Sequence, residues 1–110
     1  AKGRLLGVQF EAAFENDGRV YWDCARNANA RAAQLREGLL AQGWREWLPS
    51  ASNQLFFEVP CAAAARFVDV LGCEVFFDHG DTQVVRFVTS WATTSADVEE
   101  ALAFAAGLAR

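Results

Sequence analysis

The chain has 110 residues, 53% of them hydrophobic, with nine Phe and four Trp. A lone domain of this size buries only about two-thirds of its unfolded surface, so the composition predicts apolar surface turned toward something beyond the chain. A formal net charge of −4 with ten scattered basic residues excludes the basic face of a nucleic-acid binder, and no apolar run reaches the roughly 18 residues of a membrane span.

Ala1-Lys2-Gly3-Arg4 leads into a helical pattern and not into a signal-peptide core. With no Met at its head, the chain reads as processed or truncated. Residues 4–15 (RLLGVQFEAAFE) are apolar on nearly every side, as in a helix buried all round. Asn16-Asp17-Gly18 is a break. Residues 19–42 predict a long amphipathic helix, in which Tyr21, Cys24, Ala28, Ala32, Leu35 and Leu39 recur at three- and four-residue steps. Gly43 is placed to end it, and Trp44 to Leu48 forms a short strand closed by Pro49.

Gln54 to Val59 (QLFFEV) reads as a strand, and Pro60 as the opening of a short helix that places Ala64, Phe67, Val68 and Leu71 on one face. Gly72 ends that helix. Glu74 to Phe77 is a second strand, His79-Gly80-Asp81 a turn, and Gln83 to Thr89 a third, apolar strand. The last helix starts near Thr94, whose hydroxyl caps it with Asp97 three residues on; Val98, Leu102, Ala105 and Leu108 form its buried stripe. The whole predicts an α+β domain: a small mixed or antiparallel sheet with helices packed on one face, preceded by a long helix.

Among chemistry-bearing residues, Arg86 stands out. Val84 and Val88 flank it at period two on the same strand face. The plain reading is an arginine on the wet face of a half-covered strand. A guanidinium among apolar neighbours is costly unless paired, and its planar fork matches the two oxygens of a carboxylate. His79, the only histidine, reads as a solvated turn residue, and the spacing supports neither a catalytic Cys73–His79 pair nor a mixed Cys/His metal site. Asn53 is placed to satisfy backbone groups before its strand. The tryptophans read as packing, with Trp91 near a site mouth. Cys24, Cys61 and Cys73 are odd in number and show no CxxC spacing, so neither a disulfide framework nor a zinc site is expected and a reducing, cytoplasmic setting fits.

Three stretches together resemble a known family. AKGRLLGVQFEAAFE running into YWDCARNANARAAQLREGLL is similar to the segment that leads out of the large domain of threonine aldolases. SASNQLFFEVP is similar to their small-domain entry strand, and VVRFVTSWATTSADVEEAL to their C-terminal signature. The order and spacing match nearly end to end, closest to the beta-eliminating-lyase and threonine-aldolase branch of fold-type-I pyridoxal-phosphate enzymes.

The resemblance implies that residues 1–110 are the C-terminal small domain, that 1–15 form an interdomain helix, and that the large cofactor-binding domain lies outside the chain. It implies a lyase that cleaves β-hydroxy-α-amino acids to glycine and an aldehyde on pyridoxal 5'-phosphate, in a homo-oligomer whose subunits share active sites. Arg86 then falls at the position of the family's substrate-carboxylate arginine, and Arg4 at that of an arginine near the cofactor phosphate. The one lysine, Lys2, does not fall at the Schiff-base position, so no catalytic residue, no metal and no cofactor bound by this chain alone are expected. The pattern also permits a stand-alone α+β ligand-binding or regulatory module.

Overall fold

The computed structural model describes residues 19–50 and 52–110. The apolar stretch 4–15, with Lys2 and Arg4, lies outside them. The elements run α1 (Arg19–Ala41), β1 (Arg45–Leu48), β2 (Gln54–Pro60), α2 (Cys61–Arg66), a single π turn (Phe67–Leu71), β3 (Glu74–Asp78), β4 (Thr82–Val88) and α3 (Ser95–Ala106).

In α1 four of the six residues of the predicted stripe are buried: Ala28, Ala32, Leu35 and Leu39 are each at most 5% exposed, while Cys24 is half-buried. Gly43 ends the helix at φ 93, a left-handed conformation that glycine adopts without a Cβ clash. The Gln42 amide donates to the Gly38 carbonyl and the Trp44 amide to the Leu39 carbonyl, which accounts for two of the last carbonyls. At Gly38 the helix comes so close to α3 that an added Cβ would stand 2.4 Å from Leu102 Cδ1. A side chain at this position would have to displace Leu102.

The four strands form one sheet in the order β1-β2-β4-β3. Every pairing is antiparallel, which decides between the mixed and antiparallel alternatives. β2 and β4 are the central pair, in register from Gln54 opposite Val88 to Pro60 opposite Thr82. Along β2 burial alternates strictly, with Leu55, Phe57 and Val59 on the closed face. Val85 and Phe87 of β4 join them there, and all three helices cover that face. Phe67 is the hub: its ring is edge-on to Trp44 at 5.2 Å, to Phe87 at 5.1 Å and to Phe104 at 6.1 Å.

Two local expectations need correction. Pro60 does not open α2 from within; it is the last residue of β2 and the N-cap of the helix, at φ −56 and ψ 148. The following segment also does not stay α-helical, because it widens into the π turn before Gly72 stops it at φ 73. The wider turn rotates the expected face, so Ala64 and Phe67 are buried while Val68 and Leu71 are only half covered. The last helix starts as predicted. Thr94 Oγ1 accepts from the Asp97 amide and Asp97 Oδ2 from the Thr94 amide, both at 3.0 Å.

Phe67→Ala should therefore cost about 3–5 kcal/mol in urea unfolding. Phe77→Ala, at a ring 51% exposed on the other face, should cost clearly less. Equal losses would mean that the core is not centred where the packing puts it.

Candidate functional site on the open face of the sheet

The face of the sheet turned away from the helices carries the polar and aromatic side chains. The central register sends Phe56 and Glu58 of β2 and Val84, Arg86 and Val88 of β4 to this side, opposite in direction to Phe57, Val85 and Phe87. Arg86 thus shares a face with Val84 and Val88, as the period-two spacing requires.

Both edge strands carry an irregularity. The register shifts between Glu46 and Leu48 in β1 and between Val75 and Phe77 in β3. Such a shift inserts a residue and re-aims the side chains around it. Here it brings Trp47 from one edge and both Phe76 and Phe77 from the other onto the open face. The Phe76 ring lies 4.9 Å from Phe56 and 5.9 Å from Trp47, and the Phe77 ring stacks on Trp47 at 6.3 Å. Beneath this group Val84 is fully buried although it stands outside the main core cluster. Phe76 and Phe77 themselves stay 51% exposed.

Beside the aromatic rings is a carboxylate with three donors around it. Glu58 Oε2 is 2.8 Å from His79 Nδ1 and accepts from Thr82 Oγ1 at 2.7 Å, and Glu58 Oε1 lies 3.9 Å from Arg45 Nε. The hydrogen bond from His79 and then that from Thr82 hold the Glu58 carboxyl below its usual range, against the opposing pull of burial. His79 is also packed against Phe77 at 4.8 Å. It is therefore a partnered residue that ties the β3–β4 turn to β2, not the merely solvated turn residue its sequence context implied.

Arg86 lies farther along the same face. Its neighbour in β2 is Phe56, which offers no acceptor, and its neighbour in β3 is Glu74. Arg86 Nη2 donates to Glu74 Oε2. Arg86 Nε is buried and has no hydrogen-bond partner among the described residues. The arginine side chain is 29% exposed and that of Glu74 is 60% exposed. Glu74 is a residue that sequence reasoning missed. Its position one strand over could have been found only from the β3–β4 register, which the irregularity at Phe76 obscures.

The chain beyond Arg86 is fastened to α1. Thr89 Oγ1 donates to the Ala28 carbonyl at 2.5 Å, Asn27 Nδ2 donates to the carbonyls of Trp91 and Thr93, and Gln34 Nε2 donates to Ser95 Oγ at 3.0 Å. Asn53 does what its placement predicted: its side chain donates to the Thr89 carbonyl at 2.9 Å, and its own carbonyl accepts from the Thr89 amide at 3.0 Å. Thr89, Ser90 and Thr93 are buried polar residues within this fastening. Trp44 is core, whereas Trp47 and Trp91 are exposed.

A Cys73–His79 pair is not formed. Cys73 is buried at the end of the π turn, and burial pushes its thiol up to about 12, so the reactive thiolate is not available at neutral pH. Among the described residues no three His, Cys, Asp or Glu side chains come together to hold a metal ion. None of the described helices is long and apolar enough to cross a membrane. On the opposite side of the sheet a cavity of about 220 Å³ lies between α1, the π turn and α3, lined by Leu35, Val70, Phe87, Ala101 and Phe104 among others. It holds no part of the Arg86 cluster.

An arginine on a helix-backed strand, in this α+β arrangement, can now be set beside known structures. The solved structure of Leishmania major threonine aldolase superposes with a TM-score of 0.73 at 28% identity, over 88% of this chain. This chain is similar in fold and sequence to that threonine aldolase. It spans 28% of the length of that aldolase chain, so the aldolase-like unit corresponds to one part of the larger protein, in keeping with a small domain. The expected α+β fold, a small mixed or antiparallel sheet with helices on one face and preceded by a long helix, is observed in its antiparallel form. No protein-family model matches the chain, and no curated protein matches it.

Glu58 gives this aldolase-like domain a definite acid response. A carboxyl whose folded pKa is depressed adds stability above its ordinary range and loses it as pH falls through the lowered value. Glu58→Gln should therefore be less stable than the parent at pH 7, and the two should converge below the ordinary carboxylate range. Urea unfolding across pH 2.5–7 measures this; a difference that stays constant with pH would show that the His79–Thr82 cluster does not act through the Glu58 charge.

Proposed function

We propose that this chain is the C-terminal small domain of a pyridoxal-phosphate-dependent lyase that cleaves β-hydroxy-α-amino acids to glycine and an aldehyde. In this reading Arg86 binds the substrate carboxylate, and the domain closes over a site built mainly on a large domain. Arg4, outside the described residues, stands near the cofactor phosphate. The assembly is a homo-oligomer of the cytoplasm.

The observation that supports the reading is the unsatisfied Nε of Arg86. A buried N–H without an acceptor costs folding free energy, and here it belongs to the residue type best suited to grip a carboxylate at two points. It is mounted on a central strand whose neighbours on both sides fix its height and direction. A rigid element is what a positioning role needs. The relation to an aldolase supplies the class of substrate, since any amino acid presents a carboxylate.

The described residues contain no lysine, and the chain's single one is Lys2. No step of the cofactor's chemistry is therefore assigned to this chain. When bound in such an enzyme, pyridoxal phosphate supplies an electron sink for the electrons of the breaking bond. The contribution of this chain is geometric. A carboxylate held by two parallel N–H donors fixes a plane, which fixes rotation about the bond between the carboxyl carbon and the α-carbon. That orients the bond to be broken before the reaction starts. The aromatic group of Trp47, Phe56, Phe76 and Phe77 flanks the site and excludes water from one side of it.

Replacing Arg86 tests the reading in the full-length enzyme. Removing a charged hydrogen-bond partner costs about 2–5 kcal/mol, so Arg86→Ala should lower kcat/KM for threonine by roughly 30- to several-thousand-fold. Arg86→Lys should be strongly impaired as well, because a point charge does not define the plane. Cofactor absorbance and the circular dichroism spectrum should not change. The 110-residue chain by itself should release no glycine from threonine. A folded Arg86→Ala enzyme within a few-fold of the parent would overturn the assignment.

A further inference from the structure

We propose that Glu74 tunes the Arg86 site, holding one end of the guanidinium and offsetting part of its charge, so that carboxylate binding is oriented but weak. The proposal rests on the reading of Arg86 as the carboxylate binder and adds a second residue that sets how tightly the site binds.

Three observations converge. Glu74 stands directly opposite Arg86 in the β3–β4 register and on the same open face. Arg86 Nη2 donates to Glu74 Oε2, and the neighbouring Nε makes no bond among the described residues. The other carboxylate on this face, Glu58, is engaged by His79, Thr82 and Arg45. Glu74 is thus the counter-charge of Arg86 among the described residues.

The geometry of the guanidinium gives this pairing its meaning. Nε–H and one hydrogen of Nη2 point the same way and form the side edge that meets a carboxylate at two points; the other Nη2 hydrogen points away from that edge. A carboxylate seated on the side edge would satisfy Nε. Glu74 bonds through Nη2 and leaves Nε unsatisfied, so it grips the guanidinium at one point and not at two. A carboxylate seated on the side edge therefore finds the plane of the guanidinium already fixed by Glu74, and also a cation half-neutralised by a neighbour.

The two effects act on different quantities. The fixed plane favours correct orientation, and so supports turnover. The nearby negative charge repels a second carboxylate, and so weakens binding. At about 6 Å in a water-like medium, one unit of charge changes affinity by roughly threefold, and by more where water is excluded. The Glu74 side chain is 60% exposed, and a pair this open contributes little to folding. Glu74 can therefore be altered without loss of the domain.

The test is Glu74→Gln in the full-length enzyme. The Gln side-chain oxygen still accepts from Nη2, while the charge is gone. Glycine affinity by calorimetric titration and KM for threonine should both tighten by about threefold or more, with kcat within twofold of the parent. The gain should shrink in high salt, because screening removes the repulsion that Glu74 exerted. Glu99→Gln on α3 is the charge control and should leave glycine affinity unchanged. An unchanged or weaker glycine affinity in Glu74→Gln, with Arg86→Ala abolishing binding, overturns the role of Glu74 and leaves the Arg86 assignment standing. If Arg86→Ala itself still binds glycine like the parent, the Arg86 assignment fails and the role of Glu74 falls with it.

Discussion

The antiparallel pairing of β2 with β4 decides which side chain goes where. Seven residues on each strand are locked in register, and side chains alternate between faces at every step. Phe57, Val85 and Phe87 must then point into the helices while Phe56, Val84 and Arg86 point away. A slip of one residue would exchange the two sets. It would drive a guanidinium into the packing around Phe67 and leave Phe87 in water, so the hydrophobic demand of one face fixes the chemistry of the other.

Much of this was legible in the chain because it follows from short-range periodicity. The α1 stripe, the strand at Gln54 to Val59, the Gly43 stop, the Thr94–Asp97 cap and the common face of Val84, Arg86 and Val88 are all patterns within a few residues. What escaped depends on contacts between distant segments or on departures from regular period. The π turn looks like α-helix in sequence, because its residues have ordinary helical preferences. The edge irregularities at Trp47 and Phe76 break the alternation in strands too short to show it. His79 finds Glu58 across 21 positions and Arg86 finds Glu74 across 12, and no local pattern announces either pair. Arg4 was named from a resemblance and lies outside the described residues.

The open face joins two kinds of surface that proteins usually keep apart. Four aromatic rings and a buried valine make one half, and an arginine–glutamate pair makes the other. The rings lower the polarity around the charges, which strengthens every electrostatic contact made there. Tethers from Asn27, Gln34 and Asn53 hold the chain just past Arg86 against α1 and β2. The arginine is therefore fixed at its own strand and again a few residues later, which refers its position to the helical layer.

The irregular edges also govern what happens when two molecules meet. A flat strand at the rim of a sheet presents a row of unused amide and carbonyl groups and invites another strand to add on. Here the rims are β1 and β3, each interrupted by a register shift, and β3 begins and ends in an acid, Glu74 and Asp78. Two β3 strands aligned head to tail would bring these acids face to face. The same distortion that gathers aromatic rings onto one surface thus keeps the sheet from growing through its margins into a fibre.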